Sequence, residues 1–206
     1  MVADFRNKGL EEIYLTGKTR RIGSESVRKC VRILQSLEVA TLPEDMNVTG
    51  YRFHGLSGNP QRWSVGVTAN YSITFGWSGE NALDVDFEDY HWRKIRRETM
   101  ERRNRLPIVH PGEIIREDIL PEAGLSVTDA AKALGVSRQM VHDILAGRRP
   151  LSAVMCMKVS RLFGSTPEFW MRLQSEYDLK KAAQNKKVME RVARIVPVKL
   201  HDEIRP

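Results

Sequence analysis

The sequence predicts an α+β unit followed by an all-α unit, and three observations carry that prediction. An apolar stripe at helical spacing over residues 24–40 precedes four short aromatic and β-branched runs between residues 51 and 91. The stretch Leu125–Leu151, LSVTDAAKALGVSRQMVHDILAGRRPL, has the pattern of a helix-turn-helix. Charge divides between the two: residues 1–91 hold 10 Lys+Arg against 12 Asp+Glu, whereas residues 92–206 hold 23 against 14, so the net +7 arises in the second half. A field of that sign draws polyphosphate, and simple solubility does not explain its segregation.

Taken in order, Asp4–Leu15 is short and mixed and GKTRRIG is a basic turn. In residues 24–40, Val27, Val31, Leu34 and Leu37 form one stripe, broadened by Cys30, Ile33 and Val39. Pro43 in TLPEDM stops that helix. Strand signals follow in YRFHGL, WSVGVTAN, YSITFGW and ALDVDFEDYH, separated by SGNPQR, Ala69-Asn70 and SGEN. The expectation is an antiparallel sheet packed on the long helix.

Trp92–Arg105 carries seven Lys or Arg residues, with Glu98 four before Arg102 and Glu101 four before Arg105. It reads as a polar helix or a flexible linker. Pro107 opens the second unit, and Glu113–Leu120 is a helix with Ile114, Ile115, Ile119 and Leu120 inward. Ser126 caps a helix burying Val127, Ala130, Ala131 and Leu134; Gly135 turns the chain, Val136 plugs the gap, and Ser137 caps a second helix burying Val141, Ile144 and Leu145. A further helix, Ser152–Phe163, is expected to bury Val154, Met155, Val159 and Leu162. Thr166 and Pro167 start the next, with Phe169, Trp170, Leu173 and Tyr177 as its apolar side. Lys180–Pro206 is basic and is left open.

The polar side of the second helix of the pair opens with Ser137, Arg138 and Gln139, followed by His142 and Asp143. Side chains at the start of such a helix reach base edges in the major groove, Arg matching guanine and Gln adenine. Gly147 closes the helix, and Arg148 and Arg149 are placed to bond phosphates. The bland alternative is a structural helical hairpin with a solvated face.

Composition, at 41% hydrophobic and 29% charged, describes a soluble chain. No window approaches the ~20 apolar residues of a membrane helix, and MVADFRNKGL lacks the core of a signal peptide, so no membrane is involved and the cytosol is expected. Cys30 and Cys156 suggest no disulfide framework, and the five histidines show no metal-ligand spacing. Neither a metal nor a cofactor is expected.

GLEEIYLTGKTRR, the proline break with EDM, RFHGLSGN, NYSITF and the terminal VDFEDYH together resemble the HigB toxins of the host-inhibition family, a branch of the RelE-like messenger-RNA endonucleases. HPGEIIREDILPEAGLS, the helix-turn-helix and LFGSTPEFWMRLQSEYDL are similar to the partner antitoxin HigA. The resemblance implies a fused toxin–antitoxin chain: a RelE-like α+β domain over 1–91, a linker over 92–105, and a Cro/phage-repressor-type domain over 106–206.

Such toxins are understood to cut messenger RNA in the ribosomal A site by turning the 2′-hydroxyl against its own phosphate. That chemistry needs a base, an acid and a cation for the charged transition state. The resemblance places His54, Tyr90 and His91 at the catalytic positions and Arg62, in the loop after SGN, near RNA phosphate. Where the family strand reads N-W-R-[IL]-x-F, this chain has Asn70-Tyr71-Ser72-Ile73-Thr74-Phe75, so the expected arginine has become Ser72. A neutral hydroxyl does not replace it. Some members also carry a lysine at Ser57, although LSGN occurs in others. Two readings therefore stay open, an impaired endonuclease under restraint and a DNA-binding repressor with an inert appendage. Expected partners are operator DNA bound by a homodimer, ribosome and message if the toxin half is competent, and a toxin–antitoxin contact within or between chains.

Overall fold

The computed structural model describes residues 1–89 and 106–196. Tyr90, His91, the basic segment 92–105 and the end of the tail, 197–206, lie outside the described residues. Asn7 starts helix α1 (Lys8–Thr16) by accepting from the Gly9 and Leu10 amides at 2.8 and 3.1 Å, and Gly17 ends it at φ +74°. Helix α2 spans Ser24–Val39, and Pro43 opens a 3₁₀ turn, Pro43–Met46. Strands β1 (His54–Leu56), β2 (Arg62–Gly66), β3 (Tyr71–Ser78) and β4 (Asn81–Asp89) form an antiparallel meander in the order β1-β2-β3-β4. The register pairs Val65 with Ile73 and Ile73 with Phe87, so these residues share one face, which is buried at Val65, Ile73 and Phe75. The N-terminal stretch bridges to β4 in parallel, Val2 to Ala82 and Phe5 to Val85, and so covers part of that edge of the sheet.

The second half starts at an unusual helix. His110 caps α3 (Pro111–Ile114), its Nδ1 accepting from the Gly112 amide at 3.0 Å, and Pro111 occupies the first turn. Gly112 is required because a Cβ there would overlap the Ile144 carbonyl. Ile115–Ile119 is a π turn closed by the Leu120 amide bonding Ile115 O, and α4 (Leu120–Glu122) continues it. Pro121 has no N–H to donate to the turn below, which favours this widening. The expected regular helix over 113–120 is therefore locally unwound. Helices α5 (Val127–Leu134), α6 (Arg138–Leu145), α7 (Ala153–Phe163), α8 (Pro167–Gln184) and α9 (Lys186–Ala193) follow.

One inward assignment is corrected: Val154 is 63% exposed, whereas Leu162, partly buried, packs against the core beside the inward Met155, Cys156, Val159 and Phe163 of α7. Thr166 caps α8 as expected, accepting from the Phe169 amide at 3.1 Å, and Phe169, Trp170 and Leu173 are buried. Tyr177 is half-buried and meets the His110 ring edge-on at 4.7 Å. Among the described residues no helix is long and apolar enough to cross a membrane.

The cap makes His110 sensitive to pH. Its ring nitrogen is an acceptor, and burial lowers its pKa from 6.5, with the Asp178 charge opposing and the Lys181 charge assisting. The unfolded chain therefore takes up the proton first. Stability present above the unfolded-state pKa of 6.5 is lost as pH falls through the lower folded-state pKa. Thermal unfolding followed from about pH 7.5 to about pH 5 is expected to show this loss, and His110→Asn, which keeps a capping oxygen, to flatten it.

The two halves are joined by polar contacts as well as by a continuous buried cluster. From α2, the Arg32 Nε and Nη2 donate to both oxygens of Asp118 at 2.7 Å each, with side chains 8% and 1% exposed. Gln35 on the same helix donates to Val109 O and accepts from Val109 N, at 3.3 and 3.0 Å, as a backbone strand would. Asp45 accepts from Arg172 Nη2 at 2.7 Å, and the chain around Val48 bridges antiparallel to Gly164. Sequence periodicity assigns α2 one buried stripe; it is buried on its polar side too, at Ser26, Arg32, Gln35 and Ser36, because the second half packs there.

Candidate nucleic-acid interfaces

In the second half, Ser126 accepts from the Asp129 amide at 3.2 Å and starts α5. Gly135, at φ +61°, lets the chain reverse, its amide bonding Ala131 O and Lys132 O. Ser137 then accepts from the Met140 amide at 3.2 Å and starts α6, which buries Val141, Ile144 and Leu145. Ser137, Arg138, Gln139 and His142 all lie exposed on the outer side of that helix, with the α+β half docked elsewhere.

That outer side is a connected polar group. Gln139 Nε2 donates to Asp143 Oδ1 at 3.0 Å; Arg148 Nε and Nη2 donate to the same oxygen at 3.1 and 2.9 Å, and Nη2 lies 2.9 Å from His142 Nδ1. These bonds, Arg148 first and Gln139 second, with the nearby charge of Arg149, hold the Asp143 carboxyl below its ordinary pKa. Arg148 thus neutralises an acid that would otherwise repel phosphate, a role not evident from its position in the sequence. Arg149 is exposed beside it.

The α+β half presents a second polar face. Register places His54 opposite Ser64 and Ser64 opposite Thr74, and it places Ser72 opposite both Gly66 and Glu88. His54, Arg62, Ser72 and Glu88 therefore project from one face, the one opposite Val65 and Ile73. His54 is exposed, and its Nδ1 lies 2.9 Å from Arg52 O. A carbonyl only accepts, so Nδ1 carries the proton and, in the neutral ring, Nε2 is the free base. Ser72 is half-buried.

Arg62 stands within β2 and not in the preceding loop, because the strand begins one residue earlier than its apolar run. Its Nη2 donates to Thr74 Oγ1 and Asp84 O, each at 3.0 Å, so this guanidinium is engaged with the sheet. Arg52, two residues before His54, lies outside β1 with a left-handed backbone, so no strand period in the sequence points to it.

An α+β unit with one polar sheet face is packed on a helix-turn-helix unit whose second helix is open to solvent. Residues 3–91 match the family described as RelE-like toxin of type II toxin-antitoxin system HigB, and residues 115–170 match the Helix-turn-helix family. The chain is 33% identical to Endoribonuclease HigB of Proteus vulgaris over 43% of its own length and all of that protein. It is 34% identical to Antitoxin HigA-1 of Vibrio cholerae over 39% of its length and 74% of that protein. It is 40% identical to Virulence-associated protein I of Dichelobacter nodosus over 41% of its length and 78% of that protein. The chain belongs to the HigB–HigA toxin–antitoxin family, with the toxin-like and antitoxin-like parts on one polypeptide.

Proposed function

We propose that the protein represses its own operon through α6 while its second half restrains an RNA-cutting module whose turnover is impaired by Ser72. The observation that carries this reading is the exposure of Ser137, Arg138, Gln139 and His142 in a chain whose α+β half is already docked. Arg138 and Gln139 are the base-reading residues, and Arg148 and Arg149 serve the phosphates. Gln139 must leave Asp143 to meet an adenine, and Arg148 keeps that acid neutralised as it does so. Exposed Val154 and Met157 on α7, Met171 on α8 and Met189 on α9 supply apolar surface for a second copy, which a palindromic operator requires.

His54 is the base, through Nε2, and Tyr90 and His91 complete the RNA site; operator and ribosome put the work in the cytosol. Restraint in one chain follows from bulk: the second half is held to α2, so the sheet does not enter the ribosome unaccompanied. The second reading, an inert appendage, draws on Ser72 and on the engagement of Arg62 with Thr74 and Asp84. Gel shift of the full chain on the duplex upstream of its coding region tests the repressor reading. Retention of that duplex at salt that releases a scrambled one is expected, and equal retention of both would overturn it.

A further inference from the structure

The face that carries His54 and Ser72 also carries a cation from outside the strands. Arg52, at φ +47°, takes a left-handed conformation. Tyr51 beside it is fully buried, with its hydroxyl 2.9 Å from Ser36 Oγ, while Arg52 is exposed. A Cβ on Gly66 would lie 2.6, 2.7 and 2.9 Å from Arg52 Nε, Nη2 and Cζ. The guanidinium therefore lies over Gly66, and Gly66 is the register partner of Ser72. It donates to Thr68 O, a neutral acceptor. Lys29 is close by: burial chiefly, and the Arg52 charge among the further causes, holds its pKa below the ordinary value.

We propose that Arg52 anchors an RNA phosphate beside Ser72, so that the α+β half grips RNA that it cuts poorly. This rests on the RNA-directed reading above. A guanidinium reaching in over a glycine provides binding charge, while the transition-state donor expected at position 72 stays absent. Binding and cleavage are thereby separated at neighbouring positions.

The test uses the full chain with Arg138, Arg148 and Arg149 replaced by Ala, so that the DNA face does not report. A labelled single-stranded RNA of mixed sequence is the probe, with anisotropy read across a salt series. Each phosphate contact on a single strand adds about 0.7 to the slope of log affinity against log salt. Arg52→Ala is expected to lower the slope by about 0.7 and Arg52→Lys to preserve it. Gly66→Ala, which displaces only the flexible head of Arg52, is expected to weaken binding several-fold at an unchanged unfolding midpoint. If the parent chain binds RNA and Arg52→Ala leaves the slope unchanged, the anchor is misassigned and the RNA-directed reading survives. If the parent chain fails to bind RNA at any salt, both are overturned.

Discussion

Asp118→Ala is expected to destabilise the protein by about 3 kcal/mol, because it leaves the buried Arg32 guanidinium with only the longer, partly exposed contact to Glu113 Oε1 at 3.7 Å. The pair is bidentate and closed to water, and burial, which by itself would lower the Arg32 pKa, is outweighed by the Asp118 bonds and charge, which raise it. The measurement is urea unfolding of the full chain. Replacing both partners by apolar residues, Arg32→Met with Asp118→Leu, is expected to recover most of the loss, since the cost lies in the orphaned charge more than in the absent pair. A loss below about 1 kcal/mol for Asp118→Ala would place this contact among the weak surface pairs and remove it as the tie between the halves.

Ser72→Arg is the second large effect. Under the proposed function, restoring a guanidinium on β3, opposite Gly66 and Glu88, supplies the charge that the resemblance to the toxin strand leads one to expect there. Removing one such donor from a preorganised site commonly costs ~10²–10³ in rate, so its return is expected to raise message cleavage by a similar factor. Expression of residues 1–91 with and without Ser72→Arg separates this effect from restraint by the second half. Growth arrest with cleaved messages is the expected outcome for the arginine form. A folded Ser72→Arg fragment as harmless as its parent would dispose of the lost-cation explanation.

The elements that packing and capping dictate were legible in the sequence. Ser126, Gly135 and Ser137 stand in their expected cap positions, and Thr166 with Pro167 opens α8. The four strands too stand on the four apolar runs, with β2, β3 and β4 each reaching one residue beyond the run at one end. The association of the halves was not legible: its apolar contacts use residues that each half's own pattern already turns inward, and its polar ones, Arg32, Gln35 and Asp45, read as surface residues until their partners 86, 74 and 127 positions away are known. The π turn at Ile115–Ile119 leaves no periodic signature, and helical spacing alone does not say where a stripe ends, which is why it points Val154 inward although that side chain is exposed. In the candidate sites, the outward group on α6 could be read from position, whereas the closure of Asp143 by Arg148 depends on the turn at Gly147.

The most direct measurement is a salt-titrated affinity of the full chain for its upstream duplex and for a scrambled one, made with the parent, Arg138→Ala and Arg148→Ala. Arg138→Ala is expected to cut the preference between duplexes by about 5- to 150-fold, the ~1–3 kcal/mol of a bidentate base contact, while leaving scrambled-duplex affinity nearly in place. Arg148→Ala is expected to weaken both duplexes by the same factor, since it removes a phosphate-directed charge and uncovers Asp143. An Arg138→Ala protein that kept the parent's preference would contradict the assignment of α6 as the reading helix.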